Sequence, residues 1–280
     1  MSATPVPGGS PAAGSPMPAL PPRARLRPVP VLIVVVLVAV HGWALHDTEV
    51  SLTALVRGWH GMVDFAGQAL PPDLSWSQVL GPGLQASLVT LAIGLLGTTL
   101  SVPLAFVLAV TGSRTTASGT WSYQSSRSVM SSLRAVPEVV FALVFVTAVG
   151  LGPFAGVLAL AVHNTGVMGK LWSEAMDEVD LGPVQALRTA GAGRIQVLLH
   201  AVLPATLPTF VGLLLYRLDV NVRASLVLGL VGAGGIGFLI DQSVNLFRFD
   251  QMVTYLCVVL VVIIAVDQLS AATRRRIAAS

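Results

Sequence analysis

Residues 170–204 read KLWSEAMDEVDLGPVQALRTAGAGRIQVLLHAVLP, a polar, helix-forming stretch set between long apolar runs. Such a segment belongs in water at the face of a membrane rather than inside it. Its punctuation predicts two or three short helices instead of a spanning one. Ser173 reads as an N-cap with Glu174 and Asp177 in the first turn, where the helix dipole favours acids. Gly182-Pro183 breaks that helix and starts another with Pro183 at its first position. Gly191 and Gly193 close the second helix, because glycine enters the left-handed region cheaply. Leu203-Pro204 stops the third. The expected product is a compact knob of helices presented to something on one side.

Working outward, only 10% of the 280 residues are charged, against about 25% in soluble domains. Mean hydropathy is +0.79. The chain reads as an all-α, polytopic integral membrane protein, and at about 20 apolar residues per crossing it holds about six transmembrane helices. Basic residues lie beside apolar runs, so the net charge of +3 reports membrane topology and not a nucleic-acid footprint. The single Cys257 excludes an internal disulfide.

Residues 1–28, rich in Pro, Ala, Gly and Ser, read as a disordered cytoplasmic tail. Arg23, Arg25 and Arg27 precede VPVLIVVVLVAVHGWAL, a first span in preference to a signal peptide, since no small-x-small cleavage site follows. Residues 29–80 hold this span and an external segment, LTALVRGWHGMVDFAGQAL, patterned to lie at the interface. Residues 81–270 form the main transmembrane domain, with spans at 84–110 and 129–149 and a turn at Gly152-Pro153. A fourth span ends near Lys170, a fifth covers 205–230 and a sixth ends before Arg274. Residues 271–280 are a basic cytoplasmic tail. Arg57 and Arg248 are the only basic residues this arrangement leaves outside, which places both termini and the 174–204 loop in the cytoplasm.

The order Gln185-Ala186-Leu187, three residues, Gly191, nine residues, Ala201, one residue, Leu203-Pro204 resembles the EAA loop of ABC importer permeases, with Gln185, Leu187 and Ala201 where Glu, Ala and Ile are usual. Together with RAVPEVVFALVF, GLGPFAGVLALAVHNTGVMGKLWSEAMDEVD and YRLDVNVRASLVLGLVGAGGIG, the chain over residues 80–270 is similar to phosphonate-type ABC importer permeases. The resemblance implies a type I importer permease (MetI-like) core in the bacterial cytoplasmic membrane. Its cargo would be phosphonate or a phosphate- or phosphite-like oxyanion. It implies ATPase coupling through Glu174, Gln185, Ala186, Leu187, Gly191, Leu203 and Pro204. It also implies a second copy of the chain, two ATP-binding subunits and an extracytoplasmic substrate-binding protein. No cofactor is expected in this chain, and ATP with Mg belongs to the partner ATPase, so the chain is not itself an enzyme. A permease for another small solute such as methionine is the alternative within transport. An intramembrane lipid-acting enzyme or an ion-coupled transporter is the alternative outside it.

Other constellations leave readings open. Gly232–Gly237 spells a dinucleotide fingerprint, but no soluble strand precedes it; Gly234 and Gly235 read as a close-packed bend or as lining of the translocation path. No phosphate loop is present, and no histidine pair has metal-ligand spacing. His163 and Asn164 face the pore or are buried and satisfied. Charges inside spans are costly and mark function or packing. Asp219 and Arg223, four apart, form one stripe, and Arg217 with Asn221 a second. These either lock helices together or offer guanidinium contacts to an oxyanion in transit. Arg134 and Glu138 are likewise four apart around Pro137, a structural kink or a hinge with a gating acid.

Overall fold

The computed structural model describes residues 28–48 and 51–278; the expected N-terminal tail lies outside them. The chain divides into two units, residues 1–59 and 60–280. In the first, α1 (Pro28–Asp47) is apolar on every face and spans as expected. Helix α2 (Leu52–Ala69) is amphipathic and carries Arg57, His60 and Asp64 among its apolar residues.

A π-helical turn (Trp76–Leu80) leads without a break into α3 (Gly81–Gly112). Then follow α4 (Thr120–Ala135), α5 (Glu138–Val149), α6 (Pro153–Asp177), α7 (Leu181–Thr189) and α8 (Arg194–Val197). A second π-helical turn (Leu198–Val202) precedes α9 (Leu203–Leu230), α10 (Ile236–Asn245) and α11 (Phe249–Ala278).

Why α3 buries the face it does follows from what a bilayer rewards. Lipid tails are as apolar as leucine, so helices associate through small residues that let backbones approach and through polar groups that bond across. The buried face of α3 is Gly83, Ser87, Thr90, Ile93, Gly94, Gly97, Thr98, Ser101, Ala105, Ala109 and Gly112, small or polar except for Ile93, while Leu88, Leu100, Leu104 and Val107 point outward. A Cβ at Gly97 would stand 2.5 Å from the Leu160 Cβ, so no larger residue fits this crossing.

Helices α3 and α6 run parallel: Ile93 meets Gly156, Gly97 meets Leu160, Ala105 meets Gly169, and Ser113 bonds Asp177. Helix α9 runs antiparallel to both, pairing Trp172 with Phe210, Asn164 with Arg217, Thr98 with Asn221 and Thr90 with Ser225. A chain that leaves α3 at one end and enters α6 at the other must cross the bundle in between. That crossing is the bent pair α4 and α5, which meet at 83°. The span expected over 129–149 is thus corrected at its start, since the helix begins at Thr120, while the kink expected at Pro137 is a full break at Val136-Pro137, because Pro137 has no N–H to continue the ladder. Among the described residues five helices are long and apolar enough to cross a membrane, and counting the bent pair as one span gives six. Two further limits move. The fourth span runs on past Lys170 to Asp177. Helix α11 continues to Ala278, beyond its apolar part, Phe249–Gln268.

Candidate functional site

The end of the bundle where α3 and α6 finish carries the segment 170–204, and its local punctuation differs from the sequence reading. Ser173 is no N-cap. It is buried inside α6, its hydroxyl donating to the Lys170 carbonyl at 2.8 Å. Glu174 and Asp177 therefore belong to the last turns of α6, not to a first turn. The cap of the next helix is Asp180, whose carboxylate accepts from the Gly182 N–H at 2.9 Å. Pro183 sits in the third position of α7, where its missing N–H is still one of the unpaired four. Gly191 does take the left-handed conformation, at φ +86°. Gly193 does not: at φ −71° it caps α8, and the Gln196 side chain accepts from its N–H at 2.8 Å. Nor does Leu203-Pro204 stop a helix. The π-helical turn widens the backbone by one residue, with the Leu203 N–H reaching the Leu198 carbonyl, and so absorbs the donor that Pro204 lacks.

Val184, Val197, Ala201 and Val202 pin this loop to Met168, Trp172 and Met176 of α6 and to Phe210 of α9. Gln185 and Ala186 are exposed on α7, Leu187 half-buries against that cluster, and Leu203 and Pro204 lie at the start of α9. Leu187, Gly191, Gln196 and His200 border an open hollow of about 420 Å³. Glu174, half exposed, pairs with Lys170 at 2.9 Å and stands 3.9 Å from Arg127.

Four residues that the sequence reading did not assign to the site hold this loop in place. Asp177 accepts from the Ser113 hydroxyl and the Arg114 N–H, each at 2.7 Å, and pairs with Arg127 at 3.0 Å. Arg127 also donates to the Gly112 carbonyl at 2.9 Å. From the other side, Arg188 donates to the Thr115 carbonyl at 2.9 Å and Arg194 to the Ser118 carbonyl at 2.6 Å. The loop between α3 and α4 is therefore clasped by the docking segment at both ends. Only the basic character of 188 and 194 hinted at this, since the partners lie 73 and 76 residues away.

The intramembrane residues form two arrangements. In the first, Arg217 donates through Nε to Asn164 Oδ1 at 2.8 Å and through Nη2 to Asn221 Oδ1 at 3.2 Å. Asn164 donates to the Ser101 hydroxyl at 2.6 Å and Asn221 to the Thr98 hydroxyl at 2.8 Å. The network ties α3, α6 and α9 together, and among the described residues no carboxylate comes within 4.0 Å of Arg217. In the second, Arg223 pairs with buried Asp219 at 2.5 Å, as its spacing implied.

Arg134 and Glu138 do not meet as a helical pair, because the break at Pro137 separates them. Glu138 instead lies 3.7 Å from His163 Nε2. His163 Nδ1 is 3.1 Å from the Val136 carbonyl that the break frees, which favours the tautomer with hydrogen on Nδ1. The bend at Gly234 and Gly235 brings the Ile236 N–H to Thr90 Oγ1 at 2.9 Å, with positive φ at both glycines. This is close packing between α3 and the α9–α10 turn. A hollow of about 450 Å³ opens beside it, bordered by Gln85, Leu151, Gly152, Gly234, Gly235 and Phe238.

Comparison with known proteins agrees with this architecture. Residues 101–279 match the family described as the binding-protein-dependent transport system inner membrane component. The chain is 40% identical to the phosphite transport system permease protein PtxC of Stutzerimonas stutzeri, over 80% of each chain. It is 38% identical to the phosphate-import permease protein PhnE of Mycolicibacterium smegmatis, over 84% of this chain and 43% of that one. An inward-facing structure of the MetNI methionine ABC transporter superposes with a TM-score of 0.59 at 23% identity, covering 71% of this chain and 95% of that one, and so shares its fold. Five helices able to cross a membrane, a bent pair that adds a sixth, and this match over residues 101–279 lead to one conclusion: the chain belongs to the binding-protein-dependent transport system inner membrane component family, as a multi-pass permease subunit of an ABC importer.

Proposed function

We propose that the chain forms the translocation path for a phosphonate, phosphate or phosphite oxyanion, with both termini and the 170–204 segment in the cytoplasm. The observation that carries the cargo class is the 40% identity, across 80% of the chain, with a phosphite permease. Two copies of the chain build one path, an extracytoplasmic binding protein delivers the anion, and two ATP-binding subunits dock on α7 and the Gly191 turn. ATP and Mg act in those subunits, and this chain holds no cofactor of its own. Gln185, Ala186 and Leu187 present the docking surface, Glu174 sets the last turn of α6 above it, and Leu203 and Pro204 carry its movement into α9. When the ATPases close, displacement of the loop reaches α4 through the 113–119 segment and α9 through the π-helical turn, shifting the bundle between two states.

Arg217 is the cargo contact best supported by the geometry. Two of its N–H groups are spent on amide oxygens, and the remaining donors have no carboxylate to hold them. A guanidinium poised this way meets a passing oxyanion without trapping it behind a resident ion pair. Arg134, Glu138, His163 and Asn164 line the same crossing region, and Gly234 and Gly235 shape its far end. Asp219 and Arg223 serve packing, since each satisfies the other. The test is to reconstitute the chain with its ATP-binding and binding-protein partners in vesicles. Methylphosphonate, phosphate, phosphite and methionine are then compared as stimulants of ATP hydrolysis and as cargo. Stimulation and uptake with methionine alone would overturn the oxyanion reading.

A further inference from the structure

At the end of the bundle away from the docking loop, a recess of about 240 Å³ lies between the first π-helical turn, α10 and the start of α11. Its polar lining is Gln78, Gln242, Ser243, Arg248, Gln251 and Tyr255. Three carboxamides, two hydroxyls and one guanidinium converge there, and no carboxylate lines it. This is the donor chemistry that holds a small oxyanion: N–H groups to share among its oxygens and a single cation to balance part of its charge. A volume of 240 Å³ holds about eight waters at ~30 Å³ each, room for a tetrahedral anion with one organic substituent and part of its hydration.

Of the nearby acids, the Asp73 carboxylate accepts from the Ser75 N–H at 2.9 Å and, at the edge of the recess, from the Gln251 side chain, contacts that hold its pKa below the ordinary aspartate value, while Asp241 accepts from Asn245 at 3.1 Å. Among the described residues Arg248 has no carboxylate within 4.0 Å. The backbone just before it is also unusual: Phe247 takes φ +56°, the only non-glycine residue with positive φ among those described. A bulky residue rarely takes that conformation, and such strain collects at sites where the backbone must aim a side chain. Phe247 packs edge-on against Phe249 and Phe249 against Phe65, which holds the turn.

We propose that this recess is a receiving site for a tetrahedral oxyanion at the outer mouth of the permease, with Arg248 as its cation and Gln78, Gln242 and Gln251 as its neutral donors. The proposal rests on the oxyanion reading above and adds a station before the intramembrane Arg217. It gives released cargo a weak holding place between the binding protein and the closed path.

The test uses the assembled importer in lipid nanodiscs, labelled with phenylglyoxal and analysed by peptide mass spectrometry, with Arg57 as the internal reference. Methylphosphonate or inorganic phosphate at ten times its dissociation constant is expected to slow adduct formation at Arg248 about tenfold and to leave Arg57 unchanged, whereas glycine betaine protects neither. In the same preparation Arg248→Gln is expected to raise the KM for uptake, with Arg248→Lys recovering part of the loss. Equal labelling of Arg248 with and without both anions, in a preparation that takes up methylphosphonate, overturns the receiving site and leaves the transport reading standing. A preparation that moves neither anion overturns both.

Discussion

Arg217 carries a positive charge into the middle of a bundle, where ionisable groups are costly and survive only with partners. Its partners are the amide oxygens of Asn164 and Asn221, both buried, and each amide in turn bonds a hydroxyl of α3. Lysine cannot reproduce that fork, because a single ammonium does not span two acceptors held by different helices. Arg217→Lys is expected to leave the complex assembled and to cut oxyanion uptake by about tenfold or more, the loss of one charge-assisted hydrogen bond. Gel filtration and vesicle uptake read the two effects separately. At Asp177 the expected effect is on stability. Replacing it with Ala takes the acceptor from the Ser113 hydroxyl and the Arg114 N–H and leaves Arg127 only the Gly112 carbonyl and the more distant Glu174, and about 2 kcal/mol of stability is lost for the charged bonds. A lower melting temperature and ATP hydrolysis that no longer drives uptake are the measurements. Asp177→Asn keeps the hydrogen-bond acceptor and is expected to recover part of the stability.

At the scale of elements, the 170–204 segment and the broken crossing are the parts to which the proposed function assigns movement. Gly191 has open space around it, so any side chain fits sterically, and only the backbone angle of +86° resists substitution. Gly191→Ala is expected to strain the turn by about 1–2 kcal/mol and to lower cargo-stimulated ATP hydrolysis. Gly191→Asn, which tolerates the left-handed region, is expected to be milder. Pro137→Ala restores an N–H that can donate to the Leu133 carbonyl four residues back and so continue α4 through the α4–α5 break. Partial straightening is expected to slow uptake without loss of assembly.

These elements also show what was legible from sequence. The left-handed turn at Gly191 and the Gly152-Pro153 reversal follow from local backbone chemistry, and both stand. The misread Ser173 shows the opposite case. Its neighbours look like a helix start, yet the Lys170–Glu174 pair and burial of the Ser173 hydroxyl carry α6 onward. The clasp on Asp177 depends on residues 50 to 64 positions away, which no local pattern records. For the intramembrane charges, spacing identified Asp219 with Arg223 because a helix alone brings them together. Arg217 with Asn164 required knowing that α6 and α9 are antiparallel neighbours.

For the molecule from α3 onward, the one crossing by α4 and α5 keeps α3 and α6 parallel and α9 returns antiparallel, so the end that carries residues 170–204 and the end that holds Arg248 are opposite. The seam between α3 and α6 has a mechanical corollary. Glycine against leucine at that depth leaves no slack for one helix to slide past the other, and the amide–hydroxyl bonds stitch α9 to the same pair. These three helices are expected to move as one rigid block. The stroke that hydrolysis supplies would then be taken up at its borders, where the chain is already bent.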